Sequence, residues 1–273
     1  MKKLLPRIFI FLILLNGSFV FSKDVTKPEI VVHSRKWTWK ARLEYINEHM
    51  RCLFRDEKIS PFLSRVFLKD KEDVCLIENC GPSIAKFEKT SIEYKDKSFT
   101  IYCENPVPEI TTVYYCKTKG TILFPDNKSE FSIYEQIKIL KKGNIAFSSF
   151  SFDFHAASPL EIYIKSNDKI EKIELKEIKD YRFEINSDFF LILTKKGIIC
   201  VRVEPPVKKD SSIPVLLKGD LFIQNKEKTT TGYVSYRANE VDEGTEIVVG
   251  INFYLLPASE NIDDVIKKIE EKE

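Results

Sequence analysis

The stretch Glu246-Ile247-Val248-Val249-Gly250-Ile251-Asn252-Phe253-Tyr254-Leu255-Leu256 decides the fold. Ile247, Val249, Ile251, Phe253 and Leu255 occupy every second position, the period at which side chains of a β-strand return to one face. The residues are β-branched and aromatic, the types that suit a pleated, half-buried surface. Shorter runs repeat the signal at Phe99/Ile101/Cys103, Ile162/Ile164 and Tyr181/Phe183/Ile185. Turn formers stand between them: Ser166-Asn167-Asp168, Asn186-Ser187-Asp188, Lys218-Gly219-Asp220 and Asp242-Glu243-Gly244. Many short strands and few helices predict an all-β chain. The expected architecture is a large antiparallel β-sandwich, either one supersandwich or two stacked sandwiches.

A helical period appears clearly once. Ile262, Val265, Ile266 and Ile269 form an i, i+3, i+4, i+7 stripe, with Asn261 placed to cap it and Asp264 at the third helical position. Residues 260–273 are therefore expected to be an amphipathic helix or tail, docked on the sandwich edge. A short helical turn is also expected near Leu43–Arg51.

Leu140-Lys141-Lys142-Gly143-Asn144-Ile145 and Leu193-Thr194-Lys195-Lys196-Gly197-Ile198 share a Lys-Lys-Gly core. Both read as tight hairpins with glycine at positive φ. The polar run Pro125-Asp126-Asn127-Lys128-Ser129-Glu130 is the candidate boundary between a Cys-rich half, 23–125, and a second half, 130–258.

Residues 1–22 have the three parts of a secretory leader. Lys2, Lys3 and Arg7 precede the apolar run Ile8-Phe9-Ile10-Phe11-Leu12-Ile13-Leu14-Leu15, and Val20-Phe21-Ser22 offers a cleavage site before Lys23. The run is shorter than the roughly 20 residues a membrane-spanning helix needs. The expectation is an exported protein, periplasmic or extracellular, with no transmembrane segment after cleavage. Without Lys2, Lys3 and Arg7, the 43 basic residues fall to 40 against 41 acidic ones. Such a balance supplies no electrostatic footprint for nucleic acid. Hydrophobic residues at 43%, with 20 Phe and 11 Tyr, provide ample core and argue against disorder.

In an oxidising compartment Cys52, Cys75, Cys80, Cys103 and Cys116 are disulfide candidates, while Cys200 sits in the buried-strand pattern Ile198-Ile199-Cys200-Val201. The spacing from Cys75 to Cys116 matches no zinc-ligand pattern, and the three histidines are 33, 49 and 155. No metal and no cofactor is expected.

Two segments carry candidate site residues. In Phe150-Ser151-Phe152-Asp153-Phe154-His155 the phenylalanines share one face, and Ser151, Asp153 and His155 share the other. Asp153 and His155 are the candidate catalytic pair, His155 acting as acid or base. Alternate strand positions lie about 6.5–7 Å apart, which is poor geometry for a serine triad. His33, Arg35, Trp37 and Trp39 would share a strand face on which tryptophans stack against sugar rings and His and Arg bond hydroxyls. The expected function is an exported, non-catalytic sandwich with a binding or structural role at the cell envelope, its partner a polysaccharide or an envelope protein. The alternatives are a carbohydrate-active enzyme of lyase or hydrolase type, with His155 in a cleft, and a subunit of a surface assembly, with an unpaired edge strand or a projecting C-terminal helix.

Overall fold

The computed structural model describes residues 29–34, 41–54, 62–69, 72–82, 89–104, 109–110, 115–126, 128–166, 169–175, 179–184, 189–209, 218–226 and 229–270. The leader expected at 1–22 lies outside them. Two antiparallel sheets face each other, as the alternation predicted. The first runs, in spatial order, β1 (Glu29–Ser34), β2 (Ala41–Ile46), β3 (Met50–Phe54), β4 (Leu63–Lys69), β5 (Asp73–Pro82), β11 (Gly143–Asp153), β18 (Thr229–Val241), β17 (Lys218–Lys226) and β14 (Lys179–Glu184). The second runs β13 (Lys169–Glu174), β12 (Pro159–Ser166), β15 (Phe189–Thr194), β16 (Gly197–Lys209), β19 (Glu246–Pro257), β10 (Glu130–Ile139), β9 (Tyr115–Pro125), β7 (Ser98–Glu104) and β6 (Lys89–Lys95), with β8 (Glu109–Ile110) attached to β9.

The predicted inward positions of β19 are all buried between the sheets. Phe253 stacks on Phe131 of β10 at 4.8 Å between ring centroids and meets Phe152 of the opposite sheet edge-on at 5.2 Å. Tyr45 of the first sheet stacks on Phe124 of the second at 4.1 Å. Aromatic pairs like these add about 0.5–1.5 kcal/mol each beyond the area they bury.

The polar run considered as a boundary is the turn of the β9–β10 hairpin, and β5 pairs with β11 in the first sheet, so both sheets draw strands from both sides of it. The two Lys-Lys-Gly segments have different roles. Residues 195–196 do turn a hairpin, with Leu193 opposite Ile198. There the Thr194 hydroxyl accepts the amide hydrogens of Lys196 and Gly197 and donates to the Gly197 carbonyl at 2.6 Å. Residues 140–142 instead cross from the second sheet to the first, beside the return crossing at 242–245. Neither Gly143 nor Gly197 has positive φ; Gly244, at φ 81°, does. Gly197 is needed for space: a β-carbon there would meet the Leu256 carbonyl oxygen at 2.8 Å and Leu76 at 3.0 Å.

Two more local expectations are corrected. Lys218-Gly219-Asp220 opens β17 rather than turning. The helical turn expected near Leu43 is the tight β2–β3 turn, in which Asn47 Oδ1 accepts the amides of His49 and Met50.

The C-terminal helix α1 (Ile262–Glu270) forms where its stripe predicted, capped by Asn261 Oδ1 accepting the Asp263 amide at 2.9 Å. A cap of this kind stabilises by about 1 kcal/mol. The helix lies on the outer face of the second sheet rather than at an edge, burying Val265, Ile266 and Ile269 against Phe189, Leu191, Ile198 and Cys200. It does not project. Among the described residues no helix is long and apolar enough to cross a membrane.

Candidate functional site

Helix α1 divides the outer face of the second sheet. The part formed by β15, β16 and one end of β19 is apolar and lies beneath the helix. The part formed by β7, β9, β10 and the other end of β19 carries polar and aromatic outward residues. Backbone register builds a straight row there: Tyr102 on β7 opposes Thr121, Thr121 opposes Tyr134, Tyr134 opposes Gly250, and Gly250 opposes Glu204 on β16. Five strands drawn from residues 98 to 257 thus place one residue each in a line.

Gly250 sets the geometry of the row. A β-carbon there would lie 2.8 Å from Cδ1 and Cε1 of Tyr134 and 2.9 Å from Oε2 of Glu204. The Tyr134 ring is therefore laid over the glycine instead of standing off the sheet. This is the close approach that an interior strand glycine permits. From that position the Tyr134 hydroxyl reaches across β19 to donate to Glu204 Oε1 at 3.1 Å, and Asn252 Nδ2 donates to the same oxygen at 2.9 Å. Partial burial, reinforced by the negative Glu204, pushes the Tyr134 phenol up to about 12. At neutral pH it is a fixed hydrogen-bond donor, not a base. Gln136, one step along β10, donates to Glu246 at 2.8 Å.

Beside this row is a cavity of about 550 Å³ lined by Tyr102, Lys119, Thr121, Tyr134, Gln136 and Val248, among others. Its size falls within the ordinary range for small-ligand sites. The combination offers a flat aromatic surface, hydroxyls and an amide, with an oriented carboxylate at one end. Aromatic rings suit the C–H face of a sugar, and the polar groups suit its hydroxyls.

The residues singled out from sequence lie elsewhere. Phe150, Phe152 and Phe154 are buried, with Asp153 half-buried and His155 exposed. Asp153 and His155 have separate partners. The carboxylate of Asp153 accepts from Thr231 at 2.5 Å and from Asn79 at 3.0 Å, whereas His155 Nδ1 lies 3.4 Å from the Thr230 hydroxyl. Asp153 ends β11 of the first sheet, and His155 falls in the 3-10 turn His155–Ala157 that follows it, so the expected strand face does not continue to His155 and neither residue is on the open face of the second sheet. Arg35, Trp37 and Trp39 lie outside the described residues; His33 is opposite Arg42 in the β1–β2 pair, and its side chain lies outside them too.

All six cysteines stand as free thiols in the structure. Cys52, Cys75, Cys80, Cys103 and Cys116 stand opposite other residue types in the ladders. Cys52 and Cys80 are separated by β4, about 9.6 Å at two strand spacings, beyond the roughly 7 Å between α-carbons that a bridge spans. Among the described residues no three His, Cys, Asp or Glu side chains converge as a metal site.

Sequence reading missed Tyr102, Tyr134, Glu204 and Asn252. One signal was present: Gly250 interrupts an otherwise bulky strand, which marks a close approach.

No known family model and no curated protein sequence matches the chain. Its fold, however, is shared with solved structures. The Slr1438 protein of Synechocystis sp. PCC 6803 superposes with a TM-score of 0.51 at 8% identity, covering 87% of this chain and 99% of that one. Galactose 1-epimerase of Lactobacillus acidophilus NCFM superposes with a TM-score of 0.50 at 9% identity, covering 85% and 99%. At such identities the likeness extends to the sandwich itself.

Proposed function

We propose that the protein is an exported, non-catalytic carbohydrate-binding sandwich whose sugar site is the open part of the second sheet's outer face. The observation that carries this reading is the Tyr134 ring laid over Gly250, next to the cavity, with its hydroxyl anchored on Glu204. Such a ring is preorganised, so little side-chain freedom is lost when a sugar stacks on it. The shared sandwich adds support, since a galactose 1-epimerase is built on it.

Binding is favoured over catalysis by the pairing on the face. Acid–base chemistry on a sugar needs a donor and an acceptor poised separately at the reacting atoms. Here the Tyr134 donor is turned onto the Glu204 acceptor, and His155 stands in the 3-10 turn that follows β11 of the other sheet. Export rests on the leader pattern at residues 1–22; amino-terminal sequencing of the protein recovered outside the cytoplasm is expected to begin at Lys23.

The test is a glycan array followed by calorimetry on the array's hits. Tyr134→Ala, with its circular dichroism unchanged, is expected to weaken binding about tenfold or more, the equivalent of roughly 1.4 kcal/mol. An array without hits, or a Tyr134→Ala variant that binds as tightly as the parent, overturns the proposal.

A further inference from the structure

We infer that the ligand is a linear oligosaccharide laid across the strands, contacting two tyrosine subsites at once, rather than a single sugar. This rests on the carbohydrate reading and specifies its ligand. Tyr102 and Tyr134 occupy the same outward row, with Thr121 of the intervening strand directly between them. Two strand spacings place their backbones about 9.6 Å apart. Centres of adjacent linked pyranose rings lie only about half that far apart, and the Tyr134 ring leans further away over Gly250, so the two tyrosines meet non-adjacent rings of one chain of at least three units.

The surroundings agree with a chain more than with a single sugar. Both tyrosines line the cavity, whose volume of about 550 Å³ exceeds what one pyranose ring fills. Tyr102 is 43% exposed, an unusual state for a large aromatic on a regular interior strand, and its hydroxyl is steadied by Glu93 Oε2 at 3.3 Å. Burying that ring against a ligand removes apolar surface that folding leaves in water. Thr121 stands beneath the intervening ring. At the far end of the row, the Glu204 carboxylate and the Asn252 amide, already joined, offer a polar stop. The tyrosines therefore have distinct expected roles: Tyr134 serves the ring nearest Glu204, and Tyr102 serves a ring beyond the next one.

The experiment is calorimetry on the full mature chain with galactose and with β-1,4-linked galactose oligomers of two to four units, repeated with the corresponding glucose series. Affinity is expected to rise about tenfold or more between one or two units and three or four units, the gain of a second stacking contact. Tyr102→Ala is expected to abolish that rise, while Tyr134→Ala weakens every length. Tyr102→Phe keeps the ring and loses the bond to Glu93, so it should retain the rise. If the monosaccharide binds as tightly as the tetramer, or if Tyr102→Ala leaves oligomer binding intact, the two-subsite inference is overturned and the single-sugar reading stands. If neither series binds at any length, this inference is overturned; a glycan array without hits then overturns the carbohydrate reading as well.

Discussion

Replacing Gly250 by alanine tests whether the missing side chain sets the seat of Tyr134. The added methyl would lie 2.8 Å from two ring carbons of Tyr134 and 2.9 Å from Glu204 Oε2, so both groups must move. Gly250 does not have positive φ, so alanine meets no backbone strain there. Reduced freedom of the unfolded chain then favours alanine by about 0.4–1 kcal/mol. Against this stand overpacking, about 1–3 kcal/mol, and the loss of the Tyr134–Glu204 hydrogen bond, about 1 kcal/mol net. The expected balance is a destabilisation of about 1–3 kcal/mol, read as a lower denaturation midpoint with an unchanged slope. The same substitution made in Tyr134→Ala meets only the movable end of Glu204 and should be close to neutral. An equal cost in both backgrounds, or a single variant as stable as the parent, refutes the packing argument.

Two further outcomes follow from burial. Tyr134 is pushed up to about 12, and burial holds Tyr45 and Tyr236 higher still. Folded values above the ordinary phenol value near 10 mean that the unfolded chain loses these protons first. Their contribution is intact below about pH 10 and is lost as pH rises through the folded values; a stability profile flat to pH 12, or ultraviolet titration in which all eleven tyrosines ionise together, contradicts the burial. All six cysteines are unbridged, so thiol titration of the unfolded, unreduced chain should give six groups. In the folded protein half-buried Cys75 should label first, though slowly because burial pushes its thiol up to about 11. A count below six would reveal a bridge.

The sequence alone determined which side of the alternating strands, β19 above all, meets the core. Alternation in β19 assigned Ile247 through Leu255 to the interior, and the Ile262–Ile269 stripe gave α1 its buried side, because both are local periodicities written in adjacent residues. Period two separates inside from outside but is silent on which strand lies next to which. Only tertiary pairing made one Lys-Lys-Gly segment a hairpin and the other a crossing between sheets. It also kept cysteines from standing opposite one another and aligned Tyr102, Thr121, Tyr134, Gly250 and Glu204 in one row. That row is a product of long-range register, fixed by the packing of the whole inner face, and no window of neighbouring residues contains it.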